Sequence, residues 1–397
     1  MSVTYPAGFV AAGVTAGLKP SGRPDLGLLV GDRGTTVAGV FTTNLAAAAP
    51  VRLSRRRLAE GAPRMVLVNS GQANAATGER GDEDARAATA ATAQALGAAP
   101  EEVLQCSTGV IGEPVHMLQL LDGMPTLVAA LGPAGGGDFA LSIMTTDTVD
   151  KQVTTEVDGA RIGGCAKGVG MIAPDLATML AFITTDAAVA AEDLRRIALA
   201  VVAPRFNAIT VDGCTSTNDT VLLFASGAAG RQRVEPGSRR WVALADGIEE
   251  AAEMLAQALI ADAEGGTHAL LIDVEGAASE ADARVLAKAV AGSALVKTAA
   301  FGGDPNPGRI IQAIGSSGVI VDPGRVDIAI GDVPVVIGGV IPPTYFEGPE
   351  LADAAKARMR QPQIEILVRV GEGPGRSRSL GCDLSYDYVR ISGEYTT

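Results

Sequence analysis

The chain has 397 residues, of which 47% are hydrophobic and 19% charged, and its formal net charge is −13. That balance is too apolar for a disordered chain, and the acidic surplus excludes a general nucleic-acid binder, which needs Lys and Arg to neutralise phosphates. Only two histidines occur, His116 and His268, with no ligand partner at helical or hairpin spacing, so no metal is expected and the base of an enzyme here must be something other than histidine.

The N-terminal stretch MSVTYPAGFVAAGVTAGLKP has neither a basic n-region nor a compact apolar h-region, and no segment approaches the roughly 20 apolar residues that cross a bilayer. A cytoplasmic protein without membrane partners is therefore expected. Its four cysteines, Cys106, Cys165, Cys214 and Cys382, form no CxxC pair and are expected as reduced, buried thiols.

In chain order, LGLLV, TTVAGVF and MVLVNSGQ are short apolar runs separated by turn residues and predict strands. Gly81 to Leu96 is Ala-rich with acidic residues near its start, which suits a helix N-terminus. GPAGGGD, Gly132 to Asp138, reads as a flexible loop, and no Lys-Ser/Thr follows to make it a phosphate loop. QVTTEV and MLAFITT predict strands, and AAEDLRRIALAVVAP predicts a helix. A polar turn, DGCTSTND, then interrupts the apolar flanks of Phe206 to Phe224. Trp241, Leu244, Ile248, Ala252, Leu255 and Leu259 recur at three- and four-residue steps, one apolar face of a long helix with Trp241 in the core. ALLIDVEG predicts a strand and SEADARVLAKAVAGS a helix. IIQAIGSSGVIVDP, RVDIAIGDVPVVIGG and the tail CDLSYDYVRISGEYTT read as strands with turns. Strands and helices mingle without a regular βαβ alternation, which predicts a mixed, layered α/β architecture and not a doubly wound one.

One dipeptide stands out. In Cys165–Asp186, CAKGVGMIAPDLATMLAFITTD, a small residue and a hydroxyl (Ala177-Thr178) meet at the entrance of an apolar run, downstream of Lys167. A threonine hydroxyl needs a base before it is a nucleophile at neutral pH. If the bond before Thr178 were cut, its own α-amine, with an ordinary pKa of about 7.7–8.0, would supply that base. The cut needs no other protein: Oγ attacks the Ala177 carbonyl, an ester forms by N-to-O acyl shift, and water hydrolyses it. Gly168, Gly170 and Pro174 suit a strained turn that favours the attack.

KGVGMIAPDLATML closely resembles the cleavage motif of the ornithine acetyltransferase (glutamate N-acetyltransferase) family of arginine biosynthesis. GFVAAGVTAGLKPSGRPDLGLLV, AGVFTTN, STGVIG, IMTTDT, VDGCTSTNDTVLLFASG, LVKTAAFGGDPNPGR and GCDLSYDYVR fall in family order, nearly end to end. The resemblance implies an α-β-β-α sandwich of the N-terminal-nucleophile type with a smaller C-terminal α/β domain, from about residue 270. It implies an α subunit, residues 1–177, and a β subunit, residues 178–397, assembled as a heterotetramer. Thr178 becomes the nucleophile that takes acetyl from N-acetylornithine and passes it to glutamate by ping-pong kinetics, with no cofactor and with acetyl-CoA as a potential co-substrate.

Carried over position by position, Thr108 hydroxyl and Gly109 N–H in STGVIG imply an oxyanion hole. Lys167, eleven residues before Thr178, implies a cation for a substrate carboxylate, and Glu264 a partner for the substrate amine. Thr145 implies a substrate contact that sequence does not separate from Thr146, and Ser392 and Thr397 imply pocket-lining positions. Ser392 stands where the family has Asn, His268 where it has Lys, and Pro307 where it has Trp. Asp175-Leu176 replaces Asn-Met, and Leu45 replaces a basic residue. Three alternatives stay open on these residues: a secondary-metabolism paralogue with an altered acyl donor or acceptor, an N-terminal-Thr amidohydrolase or peptidase, and an uncleaved, non-catalytic paralogue.

Overall fold

The computed structural model describes residues 2–172, 179–230 and 232–394. Ala177, Thr178 and Thr397 lie outside the described residues. The chain divides into two compact units, one built from Met1–Asn207 and Thr215–Leu259, the other from Ala208–Cys214 and Ile260–Thr396.

In chain order the strands of the first unit are β1 (Phe9–Val14), β2 (Leu26–Gly31), β3 (Thr36–Phe41), β4 (Met65–Gln72), β5 (Val103–Val110), β6 (Lys151–Val157), β7 (Ala160–Lys167) and β8 (Leu180–Thr185). After β9 (Ile209–Thr210), which belongs to the second unit, comes β10 (Thr220–Ala225). They form two sheets, ordered β1-β2-β4-β5 and β3-β10-β8-β7-β6. Most neighbours are antiparallel, but β5 runs parallel to β4, and β8 parallel to β10. Parallel neighbours place their C-terminal or N-terminal ends side by side, and the site described below uses both pairs.

Apolar side chains alternate toward the space between these sheets. Leu29, Val66, Val68 and Leu104 from one sheet meet Leu180, Phe182, Leu222 and Phe224 from the other, all fully or nearly fully buried. The ring of Phe139, on the helix Gly136–Ser142, stands edge-on to Phe182 at 5.1 Å, a favourable arrangement of ring quadrupoles. Helices Gly78–Ala95 and Met117–Ala129 cover the outer face of the first sheet through Ala88, Leu120, Met124 and Leu127. The long helix Arg239–Ala261 crosses β6 and β7 so closely that a Cβ on Gly247 would come within 2.6 Å of Val157. The layers are thus helix, sheet, sheet, helix, as the resemblance implied. Leu244, Ile248, Ala252, Leu255 and Leu259 form the buried face of that helix, whereas Trp241, in its first turn, is only half-buried.

The second unit is the smaller α/β body. Its sheet adds β11 (Ala269–Ala277), β12 (Asp327–Ile330), β13 (Val333–Val336), β14 (Gln363–Arg369) and β15 (Gly375–Cys382), ordered β13-β12-β14-β11-β15-β9. Ile364, Ile366 and Val368 alternate inward along β14 and pack with Leu270, Ile272 and Val274 of β11 against the helix Glu280–Ala291. The other face is charged: Arg378 grips Asp273 with two bonds of 2.8 and 2.9 Å, and Glu275 accepts from Arg369 and Arg376. At the two edges of this sheet, β13 carries an exposed proline, Pro334, and β9 is only two residues long.

Three segments differ from their sequence reading. IIQAIG belongs to a helix, Pro307–Gly315, because Asn306 caps it by accepting the Arg309 N–H and because Ile310, Ala313 and Ile314 bury at helical spacing. The tail is a helix over Tyr386–Glu394, with Ser385 Oγ accepting the Tyr388 N–H at 3.1 Å. GPAGGGD is only partly a loop, since its last residues begin the helix that carries Phe139. Cysteine burial also needs one correction. Cys106, Cys165 and Cys382 are buried, but Cys214 is exposed. Burial pushes the Cys106 thiol up to about 12 and raises Cys165 as well, which keeps both unreactive. A thiol reagent applied to the native protein is expected to label Cys214 alone within minutes, with the other three reacting only after denaturation, as peptide mass mapping will show.

Candidate active site

The site is assembled where β5 and β7 end. β4 and β5 run in parallel register, which sets Gly71 beside Gly109. Both have φ near +125° (124° and 125°), and a Cβ on Gly109 would lie 2.2 Å from the Gly71 carbonyl oxygen. Only glycine fits at residue 109, so the backbone there is open to a close approach.

Thr108, the residue before it, is buried, and its Oγ1 accepts a hydrogen bond of 3.1 Å from Lys167 Nζ. The same ammonium donates at 2.7 Å to Oγ1 of Thr145, in the turn after the helix Gly136–Ser142. An ammonium has donors and no acceptor. Both hydroxyls therefore receive from Lys167 and keep their own O–H to donate elsewhere. Thr108, Thr145 and Lys167, three residues expected from the sequence reading, meet at one nitrogen.

Asp147 holds this cluster in place. It is buried, accepts from Lys151 Nζ and the Gly168 N–H at 2.8 Å each, and from the Thr145 N–H at 3.1 Å. Burial alone would raise its carboxyl, but the ammonium groups of Lys167 and Lys151 and the Gly168 N–H hold it at about 2. Just beyond, the backbone turns through left-handed positions at Gly168 (φ 141°) and Met171 (φ 54°). For a methionine that conformation is costly, and it lies directly upstream of the segment that carries Ala177-Thr178.

On the downstream side, β8 starts from a second anchor. The Met179 N–H donates to Oδ1 of Asp219 at 3.0 Å, and the Thr220 N–H donates to the Met179 carbonyl. Asp219 is fully buried, and its Oδ2 has no hydrogen-bond partner among the described residues. Burial raises its pKa well above the usual carboxylate range, only partly offset by the Met179 N–H, Ser216 and the Lys167 charge. Its neighbour Asn218 ties this end to β5: Nδ2 donates to the carbonyls of Ala73 (2.6 Å) and Ser107 (2.9 Å).

Lys19, Asp147, Asn218 and Asp219 were not singled out in the sequence. The polar run DGCTSTND between apolar flanks was a readable signal for Asn218 and Asp219, and GLKPSGRPD was one for Lys19. What sequence lacked was the register that carries these side chains to Thr108 and Lys167.

Within the second unit, Glu264 sits half-buried in the turn that follows the long helix. Gly265 in that turn has φ 64°, a Cβ there would come within 2.2 Å of the Tyr388 nitrogen, and its carbonyl accepts from Ser385 Oγ. The Glu264 turn and the helix bearing Ser392 are therefore packed together. Ser392 itself is exposed, near the Tyr388 phenol. His268 stands 3.2 Å from the buried Asp383 carboxylate, which also accepts the Thr267 N–H at 2.7 Å. Among the described residues, no group of histidine, cysteine and carboxylate side chains could hold a metal, and no helix is long and apolar enough to cross a membrane.

The ArgJ family model matches residues 10–397. The chain belongs to the ArgJ family. Relatives share nearly half its residues over full length. The arginine biosynthesis bifunctional protein ArgJ of Parasynechococcus marenigrum is 48% identical, with all of this chain and 95% of that protein aligned. Its namesake from Thermus thermophilus is 47% identical, with both chains covered completely. Among solved structures, the arginine biosynthesis bifunctional protein argJ of Bacillus halodurans is 39% identical with a TM-score of 0.51, covering 54% of this chain and 98% of its own. The family resemblance expected from the motifs is thereby borne out, and so is the α/β sandwich.

Two carboxyls of this site respond to pH with opposite sign. The folded Asp147 pKa lies below its unfolded value, so its contribution is complete above about pH 4 and fades as pH falls toward 2. Asp147→Asn is expected to cost about 3 kcal/mol at pH 7 and clearly less at pH 3, measured by denaturant unfolding. The folded Asp219 pKa lies above its unfolded value, so folding pays an increasing penalty as pH rises past about 4. Asp219→Asn should therefore raise Tm, by more at pH 8 than at pH 5.

Proposed function

We propose that this ArgJ-family chain is a self-processing acetyltransferase that moves acetyl from N-acetylornithine to glutamate through an acetyl-Thr178 intermediate. The observation that carries this reading is the Lys167 ammonium bridging Thr108 and Thr145. It stands at the end of the strand whose Gly109 admits no side chain, with β8, directly after Thr178, anchored by Asp219. The relatives' name, arginine biosynthesis bifunctional protein, supports the pathway and a second acyl donor, acetyl-CoA.

Cleavage comes first in this reading. Thr178 Oγ adds to the Ala177 carbonyl, the amide nitrogen leaves as an amine, and water hydrolyses the ester, giving fragments 1–177 and 178–397. The left-handed backbone at Gly168 and Met171 supports a strained approach. The Bacillus halodurans chain also supports it, because the share of this sequence that it matches corresponds in length to the stretch from Thr178 to the C-terminus. The fragments then assemble as two α and two β subunits.

In the transfer, the Thr178 amine takes the proton from Oγ as the oxygen adds to the acetyl carbonyl. The developing oxyanion receives Thr108 O–H and Gly109 N–H, and the Lys167 charge behind Thr108 strengthens the first of these. Ornithine leaves with the proton. The amine of glutamate then attacks the acetyl-threonine and restores the free hydroxyl. By the family resemblance, Lys167 is the cation for the substrate carboxylate, Glu264 the partner of the substrate amine, Thr145 a further substrate contact, and Ser392 and Thr397 pocket-lining positions.

Wild-type protein is expected to run as two fragments on a denaturing gel and to gain one acetyl on the fragment beginning at Thr178 when acid-trapped with N-acetylornithine. Thr178→Ala should remain one 40.2 kDa chain and lose transfer by on the order of 10⁴-fold or more. Acetate released at equal rates with and without glutamate would instead identify a hydrolase, and full activity in an uncut chain would overturn the mechanism.

A further inference from the structure

Lys19 reaches this same cluster from a loop that has no assigned part in it. Its backbone is built to be there. The buried Asp25 carboxylate accepts the N–H groups of Ala16 and Leu18 at 2.6 Å each and that of Lys19 at 3.0 Å. The Leu18 carbonyl accepts from Gln72 Nε2 at 2.9 Å. The loop lies on Gly71, where a Cβ would come within 2.8 Å of the Leu18 oxygen and 3.4 Å of Lys19 Cγ. Gly71 is the register partner of Gly109, so residues 18 and 19 sit directly over the pair that opens the site.

The side chain points toward the same turn as Lys167. Lys19 Nζ donates at 2.9 Å to the carbonyl of Met144, the residue before Thr145. That carbonyl is its one hydrogen-bond partner among the described residues, and no carboxylate among those residues lies within ion-pair distance of it. An ammonium carries three donors. The charged groups that face it are Asp25 and Arg23 of its own loop, Lys167 of β7, and Asp147. Asp25 is already occupied by three backbone N–H groups, and Asp147 is paired with Lys151 at 2.8 Å. The cluster thus holds a half-buried cation whose charge no described residue within contact distance neutralises.

Taking the proposed reaction as given, the two amino-acid substrates differ in what they ask of such a cation. The donor carries one carboxylate, while glutamate carries two. We propose that Lys19 binds the second, side-chain carboxylate of the acceptor, and so selects a dicarboxylic amino acid for the second half-reaction while Lys167 serves the carboxylate common to both substrates. Burial lowers the Lys19 pKa to about 8, and a carboxylate bound beside it raises that value and restores its charge. Glutamate affinity is therefore expected to weaken above pH 8, with acetylornithine affinity unaffected.

The test compares Lys19→Met and Lys19→Arg with wild type in both half-reactions and by calorimetric titration with glutamate. Lys19→Met should raise KM and Kd for glutamate by about 10- to 100-fold, the loss expected for one charge-assisted hydrogen bond. The KM for acetylornithine and the yield of acetyl-enzyme should change less than threefold, and Lys19→Arg should recover most of the glutamate affinity. Glutamine, with an uncharged side chain, should be a poor acceptor for wild type and no worse for Lys19→Met. Equal effects on both substrates, or none on glutamate, would overturn the proposal. If wild type makes no acetyl-enzyme, the transferase reading fails by itself. The calorimetry still decides Lys19, because glutamate binding that survives Lys19→Met, or that wild type lacks, refutes the assignment.

Discussion

A single buried ammonium organises the first unit. Lys167 closes β7, and its Nζ reaches across to Thr108 at the end of β5 and to Thr145 in a turn between them in sequence. A charge in that position costs several kcal/mol unless it is compensated. Asp147 supplies compensating charge without bonding to either hydroxyl, because its own bonds go to Lys151, the Gly168 N–H and the Thr145 N–H. The consequence is a site whose hydroxyls are fixed by a donor they cannot exchange roles with, so their protons face outward by necessity. Such preorganisation is what stabilising a developing oxyanion requires.

The two carboxyls near Lys167 show how environment divides one chemistry into two. Asp147 has the Lys151 ammonium and the Gly168 N–H on one oxygen and the Thr145 N–H on the other, and stays ionised. Asp219 is deeply buried, and the Met179 N–H, Ser216 and the Lys167 charge only partly offset that burial, so its pKa is pushed well upward. Asp147 fixes the backbone that enters the segment carrying Ala177-Thr178, through the Gly168 N–H, and Asp219 fixes the backbone that leaves it, through the Met179 N–H.

Much of this was legible in the chain. Strand segments such as MVLVNSGQ and MLAFITT bury on both faces and read as continuous apolar runs, and ordered motifs located Thr108, Thr145 and Lys167 together. Helices were misread where a cap outweighed composition. IIQAIG has as many β-branched residues as a strand, but Asn306 and Pro307 start a helix there. The tail alternates apolar and polar residues, yet Ser385 caps it into a helix on which the Glu264 turn rests. Lys19 and Asp219 escaped for a different reason. Their importance comes from the parallel registers of β4 with β5 and of β8 with β10, and pairing between distant strands leaves no local mark. His268 shows the reverse: as a bare substitution it looked like a change of substrate chemistry, and in the fold it lies against the Asp383 carboxylate.

The margins of the second sheet carry a consequence for the life of the protein in a crowded solution. Pro334 removes a backbone donor from the outer strand on one side, and β9 offers only two residues on the other. A proline-bearing strand and a two-residue strand are both poor templates for a foreign strand to zip onto. Sheet extension from these two outer strands is thereby disfavoured.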